Sequence, residues 1–154
     1  MDGRGCRRDR SRGRGRIITK LFVSELELKA FAKEFAKTLS PGDVVCLEGD
    51  LGAGKTTFVK GLASFFGIDE AVVSSPTFIY LNLYDHIAHF DLYRLQAEEQ
   101  FISMGFDEYF LPPYITCVEW PNILKTTLPK SFFWIKLKHH SEGREISIEK
   151  RVRD

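Results

Sequence analysis

The stretch that most constrains this chain is Gly49-Asp50-Leu51-Gly52-Ala53-Gly54-Lys55-Thr56. It fits G-x-x-x-x-G-K-[ST], the phosphate-binding loop of nucleoside triphosphatases. Such a loop works only between a strand and a helix N-terminus, where backbone N–H groups converge on an anion. The flanks agree. Val44-Val45-Cys46-Leu47 has the length and composition of a buried strand, and Thr57 to Phe66 reads as a helix that Gly67 ends. Gly49, Gly52 and Gly54 let backbone approach phosphate without a side chain in the way. Lys55 is the expected reach to the outer phosphates, and the Thr56 hydroxyl the expected Mg²⁺ ligand.

At 154 residues one domain is the default, and 44% hydrophobic residues with 13 Phe can build a core. No run approaches the ~20 apolar residues of a membrane span, and the Arg-rich start lacks the apolar stretch of a secretory signal. Cys6, Cys46 and Cys117 show no paired metal spacing. Two of the three fall in predicted buried strands, as core thiols of a reducing cytoplasm do.

The net charge of +1 hides an asymmetry: of 22 basic and 21 acidic residues, seven Arg and two Asp lie in residues 1–16. That leaves 15 basic against 19 acidic residues in 17–154, a mildly acidic body rather than a nucleic-acid surface. Residues 1–16 read as a disordered Arg/Gly-rich tail, and 17–154 as a single P-loop ATPase domain. An RNA-binding arm is the competing reading of the tail.

In chain order, Ile17 to Val23 is an edge strand, and Ser24 with Glu27 opens a helix as a capping box. Leu28, Phe31, Phe35 and Leu39 share one face of that helix before the Pro41-Gly42 turn. Beyond the phosphate loop, Ser74 to Thr77 is a loop, with Pro76 pushing Ser75 out of helical geometry. Ile79 to Tyr84 and Ile87 to Asp91 are strands joined at Asp85-His86. Ala97 to Met104 is a short helix ended by Gly105, with Phe106, Tyr109 and Phe110 as core anchors. Pro112-Pro113 precedes a strand, Tyr114 to Val118. Phe132 to Leu137 and Glu145 to Glu149 form a closing hairpin. This order predicts an α/β fold, a P-loop NTPase-like three-layer sandwich with a mixed, partly parallel sheet.

A phosphate loop needs a further carboxylate to hold Mg²⁺ and orient water, placed at the end of a neighbouring strand. Asp91 and Glu119 both qualify, and Glu119 has the cleaner form of an apolar strand followed by an acid. His89 is either an orienter of the nearby acid or a satisfied structural histidine. Trp120 is a core aromatic by default and otherwise a site wall. Thr77 suits a γ-phosphate or Mg²⁺ contact, and Arg94 a phosphate contact or an ion pair.

Four ordered motifs then stand together: Gly49 to Thr57, Ser75-Pro76-Thr77-Phe78, His89-Phe90-Asp91-Leu92-Tyr93-Arg94-Leu95 and Val118-Glu119-Trp120-Pro121. Over about residues 20–150 the chain resembles the TsaE (YjeE) family, P-loop ATPases of bacterial tRNA N6-threonylcarbamoyladenosine modification. The tail 1–16 lies outside that pattern, and the Asp85-His86 turn is shorter than in many members.

The resemblance implies a cytoplasmic protein that binds ATP and Mg²⁺ and hydrolyses ATP slowly. It would act with TsaD and TsaB, meeting tRNA only through that complex, and would not itself transfer the threonylcarbamoyl group. It implies that Lys55 binds phosphates, that Thr56 and Glu119 bind Mg²⁺, and that Asp91, with Lys55, supports hydrolysis. It further implies that residues 49–57 cradle the nucleotide (Gly49, Asp50, Leu51, Gly52, Ala53, Gly54, Lys55, Thr56, Thr57), that Ser75-Pro76-Thr77 form a switch loop, and that Glu25, Gly143 and Arg144 border the site. A small-molecule kinase is the alternative, although no compact Arg-rich lid stands between residues 92 and 130. No Asn-Lys-x-Asp motif supports a GTPase. An ATP-binding adaptor without catalysis overlaps the TsaE reading.

Overall fold

The computed structural model describes residues 17–22 and 24–153. The tail expected at 1–16, Cys6 with it, lies outside the described residues.

The elements run β1 (Ile18–Phe22), α1 (Glu25–Ala36), β2 (Val44–Glu48), α2 (Lys55–Phe65), β3 (Leu81–Tyr84), β4 (Ile87–Asp91), α3 (Glu98–Ser103), β5 (Ile115–Glu119), β6 (Ser131–His140) and β7 (Gly143–Val152). Single 3₁₀ turns lie at Glu70–Val72, Phe106–Phe110 and Pro121–Ile123. The seven strands form one sheet in the order β1-β7-β6-β2-β5-β4-β3. β2 is parallel to β6 and β5, and β5 to β4. β3, β7 and β1 are added antiparallel. This is the mixed sheet expected.

The central strands read as continuous apolar runs because both of their faces are covered. On one face Val45, Leu47, Ile115, Cys117 and Ile135 pack under α1 and α2. On the other, Val44, Cys46, Phe90, Val118 and Trp134 pack with Phe101 of α3 and Phe110 of the 3₁₀ turn. Those two layers with the sheet between them make the three-layer sandwich. Cys46 and Cys117 are free and buried, and burial pushes both thiol pKa values up. Gly61 lets α1 approach α2 closely, since a Cβ there would sit 2.4 Å from the Lys29 carbonyl oxygen. Among the described residues no helix is long and apolar enough to cross a membrane.

Local signals explain most boundaries. The Ser24 hydroxyl accepts the Glu27 N–H at 3.2 Å and caps α1. Gly67, at φ +79°, follows the last turn of α2. Most boundaries shift by a residue or two, and two departures from expectation are instructive. The strand predicted from Ile79 begins at Leu81, because Tyr80 takes φ +67° and its N–H bonds the Pro76 carbonyl at 2.7 Å, which closes a turn instead. The closing hairpin is longer than predicted, ten residues in each strand. Its added polar residues Lys138, His139 and Arg144 pair in register although no apolar run marks them.

Candidate functional site

The parallel strands β2, β5 and β4 end side by side, and a cleft of about 420 Å³ opens beyond them. Its walls come from the loop after β2, the start of α1, the 75–77 loop and the ends of β4 and β5. The loop is shaped by its glycines. A Cβ on Gly49 would lie 2.5 Å from the Leu137 carbonyl oxygen, and Gly54 takes φ +109°, a conformation that disfavours other residues. α2 begins at Lys55 directly after Gly54, so the unpaired N–H groups and positive dipole end of its first turn meet the cleft.

Lys55 is not the solvent-facing side chain that a loop position suggests. It is 5% exposed. Its Nζ donates to the Gly49 carbonyl and, at 3.0 Å, to the Asp50 carbonyl, and it stands 4.1 Å from the centre of the Trp120 ring. Burial lowers its pKa, while the nearby Glu119, Asp91 and Asp50 carboxylates oppose that shift. Trp120 is correspondingly a wall of the site rather than a core aromatic. It takes φ +56°, lines the cleft and packs on Tyr93 with ring centres 4.9 Å apart.

Asp91 and Glu119 are register partners on β4 and β5, each 3% exposed. Glu119 accepts the Thr56 hydroxyl at 3.1 Å and faces His89 Nε2 at 2.6 Å. Asp91 accepts the Ser75 hydroxyl at 2.5 Å, the Thr77 hydroxyl at 3.1 Å and the Tyr93 N–H at 2.9 Å. His89 is fully buried and serves Glu119, the acid across the strand pair, rather than its sequence neighbour Asp91. On its other side His89 Nδ1 meets the Tyr84 hydroxyl at 3.1 Å. Burial pushes the Tyr84 pKa up, against hydrogen bonds from Ser74 and Asn82.

Of the residues singled out from sequence, Glu25, Leu51, Gly52, Gly54, Lys55, Thr56, Thr57, Ser75, Thr77, Asp91, Glu119 and Arg144 line the cleft. Gly49 and Asp50 stand behind it and hold Lys55. Ala53 is buried against Gly49, and Pro76 is buried at the base of its loop. Gly143 pairs with His140 at the hairpin turn and does not line the cleft. Arg94 stacks on Phe78 at 4.3 Å and is not among the residues lining the cleft. Sequence reasoning missed Tyr93 as a wall and Tyr84 as the partner of His89. Tyr93 sits inside the 89–95 motif, but nothing in the chain marks Tyr84 until β3 and β4 are paired.

These donors suit a nucleoside triphosphate with Mg²⁺. Among the described residues no cluster of three or more His, Cys, Asp and Glu could hold a metal alone. Mg²⁺ needs no such cage, since it keeps waters and substrate phosphates and takes one or two protein ligands. The adjacent Thr56 hydroxyl and Glu119 carboxylate are a donor set of that kind.

A family model described as "Threonylcarbamoyl adenosine biosynthesis protein TsaE" matches residues 22–146. The chain belongs to the TsaE family. A Bacillus subtilis relative named tRNA threonylcarbamoyladenosine biosynthesis protein TsaE is 42% identical over 131 residues, 82% of this chain and 81% of the relative. A protein of the same name from Borreliella burgdorferi is 37% identical over 133 residues, 82% of this chain and 96% of its own. The crystal structure of Bacillus subtilis YdiB is similar with a TM-score of 0.71 and 34% identity, covering 89% of this chain and 86% of that one. The TsaE match takes in the phosphate loop, both acids and the 75–77 loop.

Proposed function

We propose that this protein binds MgATP in the cleft, hydrolyses it slowly, and serves tRNA N6-threonylcarbamoyladenosine biosynthesis in the cytoplasm as an accessory of TsaD and TsaB. tRNA is reached only through that assembly, and the threonylcarbamoyl transfer is not this chain's chemistry. The observation that carries the reading is the convergence of Lys55, Thr56, Glu119 and Asp91 on one cleft at the N-terminus of α2.

The residues divide the work. The glycine-shaped loop and the first turn of α2 present N–H groups to the phosphates, and Lys55 supplies a buried positive charge beside them. Thr56 and Glu119 would hold Mg²⁺, which when bound neutralises charge on the outer phosphates. Asp91 orients the attacking water and draws off its proton. In the present arrangement one Asp91 oxygen already accepts the Ser75 and Thr77 hydroxyls. That capping would slow turnover by the isolated protein, because the loop has to move before this oxygen is free for water. A partner that favours the shifted loop would accelerate or alter turnover, and by linkage would change nucleotide affinity to match.

The test is binding of purified TsaB–TsaD with ADP, with a non-hydrolysable ATP analogue and without nucleotide, together with ATP turnover in each mixture. Affinity should depend on the nucleotide, and turnover should change when the partners are added. Equal affinity in all three conditions removes the switching role. Absence of binding, combined with phosphorylation of a small metabolite, would favour a kinase.

A further inference from the structure

The Tyr84 hydroxyl is more crowded than one proton and two lone pairs require. Ser74 N–H lies at 3.2 Å, Asn82 Nδ2 at 3.3 Å, the Ser74 carbonyl oxygen at 3.0 Å and His89 Nδ1 at 3.1 Å. The two N–H donors fill its lone pairs, so its single proton goes either to the Ser74 carbonyl or to Nδ1. The carbonyl has another donor, Asn82 Nδ2 at 3.1 Å. The Tyr84 proton is therefore best used on Nδ1. A neutral His89 then carries its own proton on Nε2 and donates it to Glu119 at 2.6 Å. This arrangement leaves none of these groups unsatisfied and puts no charge on the fully buried His89.

The result is a directional chain: Ser74 N–H to Tyr84, Tyr84 O–H to His89, His89 N–H to Glu119. It begins on an exposed loop residue and ends on a buried acid. The next residues of the same loop, Ser75 and Thr77, bond Asp91 directly. One loop thus touches both acids, one through hydroxyls and the other through two intervening side chains.

We propose that Tyr84 is a positioning residue that couples the 74–77 loop to Glu119 through His89, so that displacement of the loop loosens the Mg²⁺-binding carboxylate as it frees Asp91. The proposal rests on the reading that Glu119 serves a Mg-nucleotide site. Partners that orient a metal ligand from behind typically change metal affinity or activity by about 10- to 100-fold when removed.

The test uses Tyr84→Phe, which keeps the ring beside His89 (centres 5.9 Å apart) and deletes only the hydroxyl. Imidazole ¹⁵N NMR of the nucleotide-free wild type should show His89 as the neutral Nε2–H tautomer. In Tyr84→Phe the Nδ1 signal should move, and the Ser74 amide should exchange faster. Titration with a non-hydrolysable ATP analogue should show the Mg²⁺-dependent gain in affinity reduced about 10- to 100-fold, with Mg²⁺-free affinity unchanged. In the Glu119→Gln background the same tyrosine change should add nothing. A Nδ1–H tautomer or an imidazolium in the wild type overturns the proposal, whether or not the variant folds. So does additivity of the two substitutions, or a Mg²⁺-dependent gain that survives in Tyr84→Phe. If the wild type binds no nucleotide, the functional reading fails, while the His89 spectrum and Ser74 exchange still decide the chain by themselves.

Discussion

The ends of β4 and β5 are near twins in the sheet and opposites in attachment. Asp91 and Glu119 are register partners on parallel strands, equally buried. Glu119 is held by Thr56 on α2 and by His89 on β4, both parts of the scaffold. Asp91 is held by Ser75 and Thr77, two hydroxyls of a loop, and by the N–H of Tyr93 just downstream. The sheet brings two carboxylates to one cleft, and the neighbours decide what each can do. An acid whose direct partners lie on rigid elements, and which the loop reaches only through Tyr84 and His89, suits holding a metal. An acid tied to a loop changes its availability when the loop moves.

The largest expected effect tests the loop-tied acid. Asp91→Asn keeps the size and hydrogen-bonding reach of the side chain and removes its basicity. It should bind MgATP as the wild type does and turn it over about 10²- to 10⁴-fold more slowly, the span typical of a lost general base. Binding by fluorescent ATP analogue and single-turnover rates would show it. A variant that loses affinity while keeping its rate would exchange the roles of the two acids.

Next is Lys55→Ala, which removes a cation whose charge both acids favour. The charge-assisted contact to phosphate is worth roughly 1.5–3 kcal/mol, or about 10- to 150-fold in Kd. Because Lys55 also satisfies the Gly49 and Asp50 carbonyls, its loss should lower the melting temperature by a few degrees, about 1 kcal/mol. Unchanged affinity and unchanged turnover would remove Lys55 from the phosphate site.

Glu119→Gln tests the scaffold-held acid. It should leave Mg²⁺-free nucleotide affinity alone and cut the Mg²⁺-dependent gain about 10- to 100-fold. Mg²⁺ titrations at fixed nucleotide measure it. An intact Mg²⁺ dependence would mean that the contrast between the two strand ends does not concern metal.

Local chemistry in the chain made the phosphate loop, the two strand-end acids, the 74–77 loop and the mixed α/β layering legible. Glycine spacing, Pro76 and apolar runs each act within a few residues. What stayed hidden depends on pairing between distant segments. His89 lies two residues before Asp91 in a strand, so both point to the same face, yet its ring reaches Glu119 only because β4 and β5 align. Tyr84 joins that pair through the β3–β4 hairpin. Lys55 reads as an exposed loop cation, and only the fold of the loop over it, with Trp120 at positive φ, shows that it is buried.

A third carboxylate sharpens the comparison by carrying no role in the cleft. Glu98, at the start of α3, accepts the backbone N–H groups of Lys125, Thr126 and Thr127 and the Thr126 hydroxyl. Burial alone would raise its pKa, but these hydrogen bonds outweigh that and hold it at about 2, against an ordinary value of 4.5. A folded-state pKa below the unfolded one gives stability that is fully present above about 4.5 and is lost as pH falls through about 2. Solvent screening of this partly exposed group keeps the contribution to about 1 kcal/mol or less. Glu98→Gln should therefore lower stability slightly at pH 7, with ATP turnover unchanged, and the gap to the wild type should close between pH 4.5 and 2. Urea denaturation of both proteins across that range reads the gap directly. A gap independent of pH would mean that shape, not charge, holds the 125–127 loop against α3. A fall in turnover would carry the influence of this acid into the cleft, and the division between site acids and stability acids drawn from Asp91, Glu119 and Glu98 would no longer stand.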